Sequence, residues 1–242
     1  MKRYIRSLED LRNQDNYSDI MKFFINYSKL YYTNSRKDKD TPKYIQLTNE
    51  EIDTHTHLGP LGIVFGDYLK VKDDYILPYI SDKVILDLGA GAGRWSKYFT
   101  DAKEVVCVDI IKDYRDILLG INDNITFKEN NGYDLTPIND DSVDFVFAWN
   151  VFIDSEVSET KCISKYVSEF SRVLKDGGRI LFDIHSSDKF LSNLINWGES
   201  FDKPKNKITD EEIKDIFNSN NLILDSIDVD TLEYGNIVIG HK

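Results

Sequence analysis

The chain has 242 residues and a formal net charge of −12, because 42 acidic side chains outnumber 30 basic ones. This length suits one α/β core with an appended cap and is too short for two domains of typical size. The negative charge would repel a phosphate backbone and no basic stripe is present, so we expect no nucleic-acid partner. The charged N-terminus and the lack of an apolar run of ~18 residues predict a cytoplasmic protein without a signal peptide or membrane span.

Residues 1–80 are rich in Tyr, Phe and Ile at helical spacing, which predicts an N-terminal helical cap on the substrate side. A polar stretch from Thr33 to Lys43 is predicted to be a loop. The cap ends in a predicted helix from Tyr68 to Ile80 that leads into the first strand. Pro78 should break the last turn of this helix, because proline lacks a backbone N–H.

His55 and His57 stand together in this cap, just before a Gly-Pro turn. A His-x-His pair on a strand can bind zinc, but a third and a fourth ligand at metal spacing are missing. We therefore expect no metal site and predict that the two histidines contact the substrate.

Residues 81–242 are predicted to form the core domain, in which strands alternate with helices. This alternation predicts right-handed βαβ units and a parallel sheet. The last two strands lie close enough to pair as a hairpin, so the last strand should run antiparallel. The predicted strands are Val84–Leu88, Val105–Ile110, Ile125–Glu129, Val143–Trp149, Arg179–Ile184, Leu222–Val229 and Leu232–Ile239. The predicted helices follow Gly93, span Tyr114–Leu119 and Ser158–Leu174, and run from a Thr209/Glu212 capping box to Asn220, with an Asp176-Gly177-Gly178 turn before the fifth strand.

The first predicted strand runs into a glycine turn, Gly89-Ala90-Gly91-Ala92-Gly93, that opens a predicted helix. Glycines let a ligand approach the backbone without Cβ obstruction, so the turn predicts a cofactor site. A NAD-type fingerprint would need its third glycine at position 94, which is Arg94. Asp87 precedes the turn, where a carboxylate would repel a pyrophosphate and attract the α-ammonium group of an amino-acid-like ligand.

Asp109 ends the second predicted strand and supports the same interpretation. It lies about 20 residues after Gly89, the spacing at which an acidic residue accepts both hydroxyls of a ribose. The turn and the two carboxylates together describe S-adenosylmethionine better than NAD.

Five segments in the expected order resemble the class I, seven-stranded S-adenosylmethionine-dependent methyltransferases. They are VILDLGAGAGRWS, VVCVDI, FKENNGYDL, SVDFVFAWNVFID and YVSEFSRVLKDGGRILFDIHS, and they cover roughly residues 81–186. The resemblance implies an α/β, Rossmann-like, doubly wound fold with a seven-stranded, mostly parallel sheet and an antiparallel last strand. It also implies S-adenosyl-L-methionine as the cofactor and S-adenosyl-L-homocysteine as the product.

The resemblance places the cofactor at the ends of the first four strands. Asp87 and the glycine turn would hold the methionine part, and Asp109 the ribose. Asn131 and Gly132 would contact the adenine ring, although an Asn-Gly pair can also simply make a turn. The full predicted set is Asp87, Gly89, Ala90, Gly91, Gly93, Arg94, Trp95, Asp109, Ile110, Asn131, Gly132, Tyr133, Trp149 and Asn150.

Departures from the family pattern bear on the acceptor. Members that methylate the amines of DNA bases carry an Asn/Asp-Pro-Pro-aromatic segment after the fourth strand. This chain has Trp149-Asn150-Val151-Phe152 there, which disfavours a nucleobase amine. Many small-molecule members have a histidine a few residues later, where this chain has Asp154. Asp154 could orient the substrate or act as a base, or it could begin the next helix as an N-cap.

His185 follows the fifth predicted strand and is our candidate general base. A hydroxyl acceptor must lose its proton, and an imidazole with a pKa near ~6.5 suits that task at neutral pH. The alternative is a solvent-exposed loop histidine. The next segment, from Ser186 to Lys207, is longer than an ordinary connection and is predicted to be either a lid or a packed extra helix.

These features favour methyl transfer to a hydroxyl of a small polar metabolite. A sugar or nucleotide-sugar acceptor, as in bacterial polysaccharide and natural-product pathways, rests on the resemblance alone. Three alternatives stay open: a small-molecule N-methyltransferase, a NAD-linked oxidoreductase, and a non-catalytic S-adenosylmethionine-binding protein. The sequence sets no oligomeric state.

Overall fold

A computed structural model describes residues 70–91, 93–152, 160–185, 208–232 and 235–242 of the chain. The predicted cap up to residue 69, with His55 and His57, lies outside these described residues. Asp154 and residues 186–207 also lie outside them, so their predicted roles stay predictions.

The described residues form one sheet of seven strands in the order β3-β2-β1-β4-β5-β7-β6. The strands are β1 (Val84–Leu88), β2 (Glu104–Asp109), β3 (Ile125–Glu129), β4 (Val143–Phe152), β5 (Leu174–His185), β6 (Ile223–Asp228) and β7 (Gly235–His241). Strands β1 to β5 pair in parallel, and β7 runs antiparallel to both β5 and β6. This topology confirms the predicted Rossmann-like α/β fold with an antiparallel last strand.

The carboxyl ends of β1 to β6 meet at one side of the sheet, which we call the carboxyl edge. The amino ends of these strands meet at the opposite side, the amino edge. In open parallel sheets, ligands bind beyond the carboxyl ends of the strands. The carboxyl edge is therefore where the candidate site residues should lie.

Three α-helices lie in the described part of the chain: α1 (Arg115–Leu119), α2 (Thr160–Val173) and α3 (Asp210–Ser219). Helix α3 begins with the predicted capping box, in which Thr209 Oγ1 accepts from the N–H of Glu212 and the Glu212 carboxylate accepts from the N–H of Thr209. Before β1, a π-helical turn (Val71–Ile76) gives way to a 3-10 turn (Leu77–Tyr79) that contains Pro78. The predicted helix before the first strand therefore tightens at the proline.

The helix predicted after Gly93 is wrong, because the structure forms only a 3-10 turn there, Ser96–Tyr98. Gly91 and Gly93 have φ values of 54° and 87°, which lie outside the right-handed helical region. The glycines thus shape a turn instead of starting a helix.

The predicted start of the fifth strand is also corrected. Strand β5 begins at Leu174, which pairs with Val143 before the register shifts. The predicted turn around Gly177, whose φ is 74°, lies inside this irregular first part of the strand. The strand therefore follows α2 directly, without a separate loop.

Alternating side chains of the strands pack two hydrophobic layers, one on each face of the sheet. In β4, Phe145, Phe147 and Trp149 belong to the first layer, together with Val71 and Ile76 of the π-helical turn. The second layer contains the buried faces of α2 and α3. A parallel sheet is buried on both faces in this way, so polar groups collect at the strand ends.

Candidate functional site

The glycine turn follows β1 at the carboxyl edge and is fastened to β2. The N–H groups of Gly89 and Ala90 both donate to the carbonyl oxygen of Val108, at 2.7 and 3.2 Å. A Cβ on Gly89 would lie 2.5 Å from Cγ2 of Val151, so the end of β4 packs directly on the turn. A Cβ on Gly91 would meet no heavy atom of the described residues within 4 Å, so Gly91 borders open space.

Gly93 closes the turn for a packing reason. A Cβ there would collide with the side chain of Ile121 and would also lie 3.1 Å from Cδ2 of Leu118 in α1. Gly93 is buried, and the next residue, Arg94, is half-buried. The glycine at this position lets α1 and the residues after it pack closely against the turn.

Asp109 at the end of β2 holds the turn through its carboxylate. Its Oδ2 accepts from the N–H of Gly91 at 2.8 Å, and its Oδ1 accepts from the N–H of Ile111 at 2.9 Å. Burial raises the pKa of Asp109 to about 6, while backbone hydrogen bonds from Ile111, Gly91 and Ile110 oppose the rise. A carboxylate offers about four lone-pair positions, so Asp109 keeps acceptor capacity for a diol.

Asp87 lies beneath the turn and is only 2% exposed. Ser96 donates its hydroxyl hydrogen to Oδ2 of Asp87 at 2.6 Å. Burial raises the pKa of Asp87 to about 7; the Ser96 hydrogen bond opposes this rise and the nearby negative charge of Asp109 adds to it. Ser96 also lies 3.4 Å from the buried thiol of Cys107, whose pKa burial raises, so this cysteine is a neutral core residue.

Ser96 had no assigned role in the sequence analysis. The only signal for it was its place in the conspicuous run after the glycines, nine positions after Asp87. The structure makes it the hydroxyl donor that satisfies part of a buried carboxylate.

The predicted site residues Trp95 and Trp149 pack together in the first hydrophobic layer. Their ring centroids are 5.0 Å apart, and Trp149 stacks on Phe147 at 5.9 Å with an interplanar angle of 6°. Both indoles are less than 7% exposed. The structure thus shows them supporting the turn from below, and a direct cofactor contact stays a prediction.

The loop after β3 brings the predicted residues Asn131, Gly132 and Tyr133 to the carboxyl edge. Asn131 is exposed, and its Oδ1 accepts from the N–H groups of Tyr133 at 2.8 Å and Asp134 at 3.1 Å. The side chain of Asn131 therefore shapes its own turn. The preceding Asn130 is buried, and its Oδ1 accepts from the N–H of Gly132 at 3.2 Å. Sequence reasoning missed Asn130, although the doubled Asn-Asn-Gly made it a candidate.

Asn150 lies near the end of β4 with a φ of 57°. Its N–H donates to Oδ1 of Asp183 at 2.7 Å, and the Asp183 side chain is completely buried. The register between β4 and β5 shifts between Ala148 and Phe152, so Asn150 sits in a bulge. No role was predicted for Asp183, because its partner is 33 positions away and no local pattern joins the two residues.

His185 is the last residue of β5, where it pairs with Gly235 of β7. The prediction placed His185 just past the fifth strand, and the structure makes it the last residue of that strand. The neighbouring Ile184 pairs with Phe152 at the end of β4. The backbone of His185 thus lies at the carboxyl edge beside the end of β4, while its side chain lies outside what the structure describes.

The described residues contain no group of three or more His, Cys, Asp or Glu side chains that could hold a metal ion. None of their helices is both long and apolar enough to cross a membrane.

Residues 86–182 match the family model described as a methyltransferase domain. The chain is therefore similar to methyltransferase domains over somewhat less than half of its length. The matched region begins in β1 and ends in β5, so it contains the glycine turn, Asp109, the loop after β3 and the bulge in β4. Among curated protein sequences, none matches the chain.

Solved structures of methyltransferases share this fold at low sequence identity. A S-adenosylmethionine-dependent methyltransferase from Aquifex aeolicus is 19% identical with a TM-score of 0.54, covering 80% of this chain and 93% of its own. One from Clostridium acetobutylicum is 16% identical with a TM-score of 0.56, covering 72% and 92%. Geranyl diphosphate methyltransferase in complex with S-adenosylmethionine is 15% identical with a TM-score of 0.50, covering 69% and 81%.

S-adenosylmethionine is the cofactor that these similarities support, and the residues at the carboxyl edge fit it. Gly91 borders open space that a larger residue would fill. Asp109 beside it retains acceptor capacity suited to ribose hydroxyls. The partners of Asp87 and Asp109 among the described residues are neutral donors, so a ligand with an ammonium group would add the missing positive charge.

Proposed function

We propose that this methyltransferase acts on a hydroxyl group of a small polar metabolite, with a sugar or a nucleotide-sugar as the leading acceptor class. The observation that carries the proposal is the position of His185, whose backbone ends β5 beside the end of β4 at the carboxyl edge. An alcohol must lose its proton when it is methylated, and histidine is suited to accept that proton at neutral pH. The net charge of −12 disfavours a nucleic acid as the acceptor.

Each predicted site residue has a role in this proposal. S-adenosylmethionine supplies a methyl group bonded to a sulfonium, which an acceptor must approach in line. Asp87 binds the α-ammonium group, the glycine turn adjoins the methionine part, and Asp109 accepts from the ribose hydroxyls. Ile110 and residues 131–133 surround the adenine, and residues 149–150 line the place where cofactor and acceptor meet. His185 takes the hydroxyl proton, and Asp154 orients the acceptor.

The segment before β1 is proposed to cap the substrate side, with His55 and His57 in contact with the acceptor. Contacts made by the first described residues support this placement of the cap. Lys70 Nζ donates to Oγ1 of Thr231 at 2.9 Å, and Tyr75 donates to Oδ2 of Asp228, the last residue of β6. These contacts hold the start of the described chain near the carboxyl edge.

The test compares His185→Ala with His241→Ala in an acceptor screen that follows S-adenosylhomocysteine formation. The panel contains sugars, nucleotide-sugars, other alcohols and small amines. His241 is the matched control, because it lies at the amino edge and pairs with Asp225 at 2.8 Å. We expect His185→Ala to lower kcat by about 100-fold to 10,000-fold on a hydroxyl acceptor, as removal of a general base does. His241→Ala should leave kcat within about two-fold of the wild type, because it changes only a surface pair.

Other outcomes would replace the proposal. A neutral amine is already nucleophilic, so an unchanged kcat in His185→Ala together with an amine product would indicate an N-methyltransferase. Binding of S-adenosylhomocysteine without turnover on any acceptor would indicate a non-catalytic binding protein. A larger thermal shift with NADH than with S-adenosylhomocysteine would indicate an oxidoreductase.

A further inference from the structure

The end of β4 departs from regular strand geometry next to the glycine turn. Asn150 has a φ of 57°, and the register with β5 shifts around it. This left-handed conformation is uncommon for residues other than glycine, although asparagine tolerates it better than most. Such a conformation persists only where its surroundings hold it in place.

The Asp183 carboxylate is positioned to hold this conformation. Its Oδ1 accepts from the N–H of Asn150 at 2.7 Å, a distance typical of a charge-assisted hydrogen bond. Asp183 is completely buried in β5, two residues before His185. A fully buried carboxylate costs free energy that an apolar residue at this position would avoid, and the hydrogen bond from Asn150 offsets part of that cost.

The conformation of Asn150 affects the position of the glycine turn through the next residue, Val151. Val151 follows Asn150, and its Cγ2 would lie 2.5 Å from a Cβ on Gly89. There is therefore no spare space between the end of β4 and the first glycine of the turn. A change of φ at Asn150 would move Val151 and, with it, the backbone of Gly89.

A similar arrangement occurs between β1 and β2. Asp109 of β2 accepts from the N–H of Gly91, which has a φ of 54° and follows β1. In both places, a buried aspartate on one strand holds a left-handed residue at the end of the neighbouring strand. The glycine turn is thus fixed by Asp109 on one side and supported by β4 on the other.

We propose that Asp183 is a positioning residue for the cofactor site, which holds Asn150 in its left-handed conformation and thereby keeps Val151 against Gly89. The proposal rests on the cofactor placement given above, but not on the acceptor being a hydroxyl. Its test therefore measures S-adenosylhomocysteine binding by calorimetry and needs no acceptor.

The first experiment compares Asp183→Ala, Asp183→Asn and the matched control Asp144→Ala. Asp144 also accepts a backbone N–H from a neighbouring strand, that of Val84 at 2.8 Å, but it lies at the amino edge. Asp183→Ala should raise the Kd for S-adenosylhomocysteine at least about ten-fold, since a hydrogen bond to a charged group is lost. Asp183→Asn keeps an acceptor oxygen and should stay within about three-fold of the wild type. Asp144→Ala should lower Tm and leave this Kd within about two-fold, because its site is remote from the cofactor.

The second experiment leaves the buried Asp183 side chain in place and tests the conformation of Asn150 directly. It keeps the proposal testable if Asp183→Ala does not fold. Glycine adopts a φ of 57° without strain, whereas alanine does not. Both variants lose the Asn150 side chain and only alanine strains the backbone, so Asn150→Ala should have a Kd about five-fold or more above that of Asn150→Gly.

The proposal is overturned if folded Asp183→Ala binds S-adenosylhomocysteine like the wild type, or if it and Asp144→Ala weaken binding equally. It is also overturned if Asn150→Ala binds like Asn150→Gly. A Gly91→Ala variant separates this failure from that of the cofactor placement. If Gly91→Ala weakens binding while Asp183→Ala does not, only the role of Asp183 is wrong, whereas unchanged binding in both would refute the placement as well.

Discussion

The aspartates at the glycine turn of the carboxyl edge differ from Asp144 at the amino edge in what compensates their burial. At the amino edge, burial would raise the pKa of Asp144, but the N–H of Val84 and the ammonium group of Lys175 at 2.9 Å outweigh burial and lower it. At the carboxyl edge, Asp87 and Asp109 accept from neutral O–H and N–H donors, and burial raises their pKa values to about 7 and about 6. The negative charge of Asp144 is therefore stabilised, whereas the negative charges of Asp87 and Asp109 are costly.

This difference indicates which edge is built for a ligand. Buried carboxylates without a cationic partner lower the stability of the fold, and groups with strongly perturbed pKa values are concentrated at functional sites. The amino edge supplies its own cations, as Arg172 does for Glu169 at 2.7 Å and Lys242 for Asp141 at 2.6 Å. In the proposed cofactor site, the ammonium group of the ligand would supply the positive charge that Asp87 and Asp109 lack among the described residues.

The largest effect should come from Asp109, which both holds the turn and faces the proposed ribose position. Asp109→Ala removes the acceptor for the N–H groups of Gly91 and Ile111. We expect calorimetry to show a loss of S-adenosylhomocysteine affinity of about 100-fold, equivalent to two hydrogen bonds to a charged group.

The control for this substitution is Asp225→Ala at the amino edge, which breaks only the partly exposed pair with His241. Its S-adenosylhomocysteine affinity should equal that of the wild type. A comparable loss of affinity in both variants would mean that the two edges do not differ in function.

A smaller effect, on stability, should come from Asp87→Asn. In the folded protein the pKa of Asp87 is about 7, whereas the ordinary pKa of this side chain is 3.8. Between these values the native state binds more protons than the unfolded chain, so stability falls as pH rises from about 4 to about 7. Asparagine cannot ionise, so the variant should gain about 2 kcal/mol over the wild type above pH 7, which raises Tm by about 4 to 8 °C.

Thermal unfolding of the free protein at pH 4 and pH 8 tests this prediction. The two proteins should have nearly equal Tm values at pH 4, and the variant should be higher at pH 8. The same variant should bind S-adenosylhomocysteine less tightly, because the side chain at position 87 no longer carries the negative charge that would pair with the ammonium group of the ligand. A Tm difference that does not change with pH would show that Asp87 is not the destabilising group.

Much of the fold could be predicted from the sequence where local pattern and packing agree. The bounds of β1 and β3 and the start of β4 are as predicted, because apolar runs ending in turn residues define them. The prediction of a helix after Gly93 was wrong because the glycines of this segment form a turn. The early start of β5 was missed because only pairing with Val143 makes Leu174 a strand residue.

The candidate site shows the same division. Asp87, the glycines and Asp109 could be predicted to lie together because they share one short motif and one characteristic spacing, and the structure brings Asp109 into contact with Gly91. Ser96 and Asp183 could not, because no sequence pattern shows that Ser96 donates to Asp87 or that Asp183 accepts from Asn150. Asn131 was favoured over Asn130 by the resemblance to the family, although only Asn130 is buried.

The most direct test of the cofactor placement compares Gly91→Ala with Gly177→Ala. Both glycines have positive φ, 54° and 74°, and an added Cβ meets no heavy atom of the described residues within 4 Å at either position. The backbone strain should therefore lower Tm similarly in both variants. Only the Cβ at position 91 would enter the space assigned to the cofactor, so Gly91→Ala should weaken S-adenosylhomocysteine binding at least about ten-fold while Gly177→Ala leaves it unchanged. Equal affinities in the two variants would contradict the account.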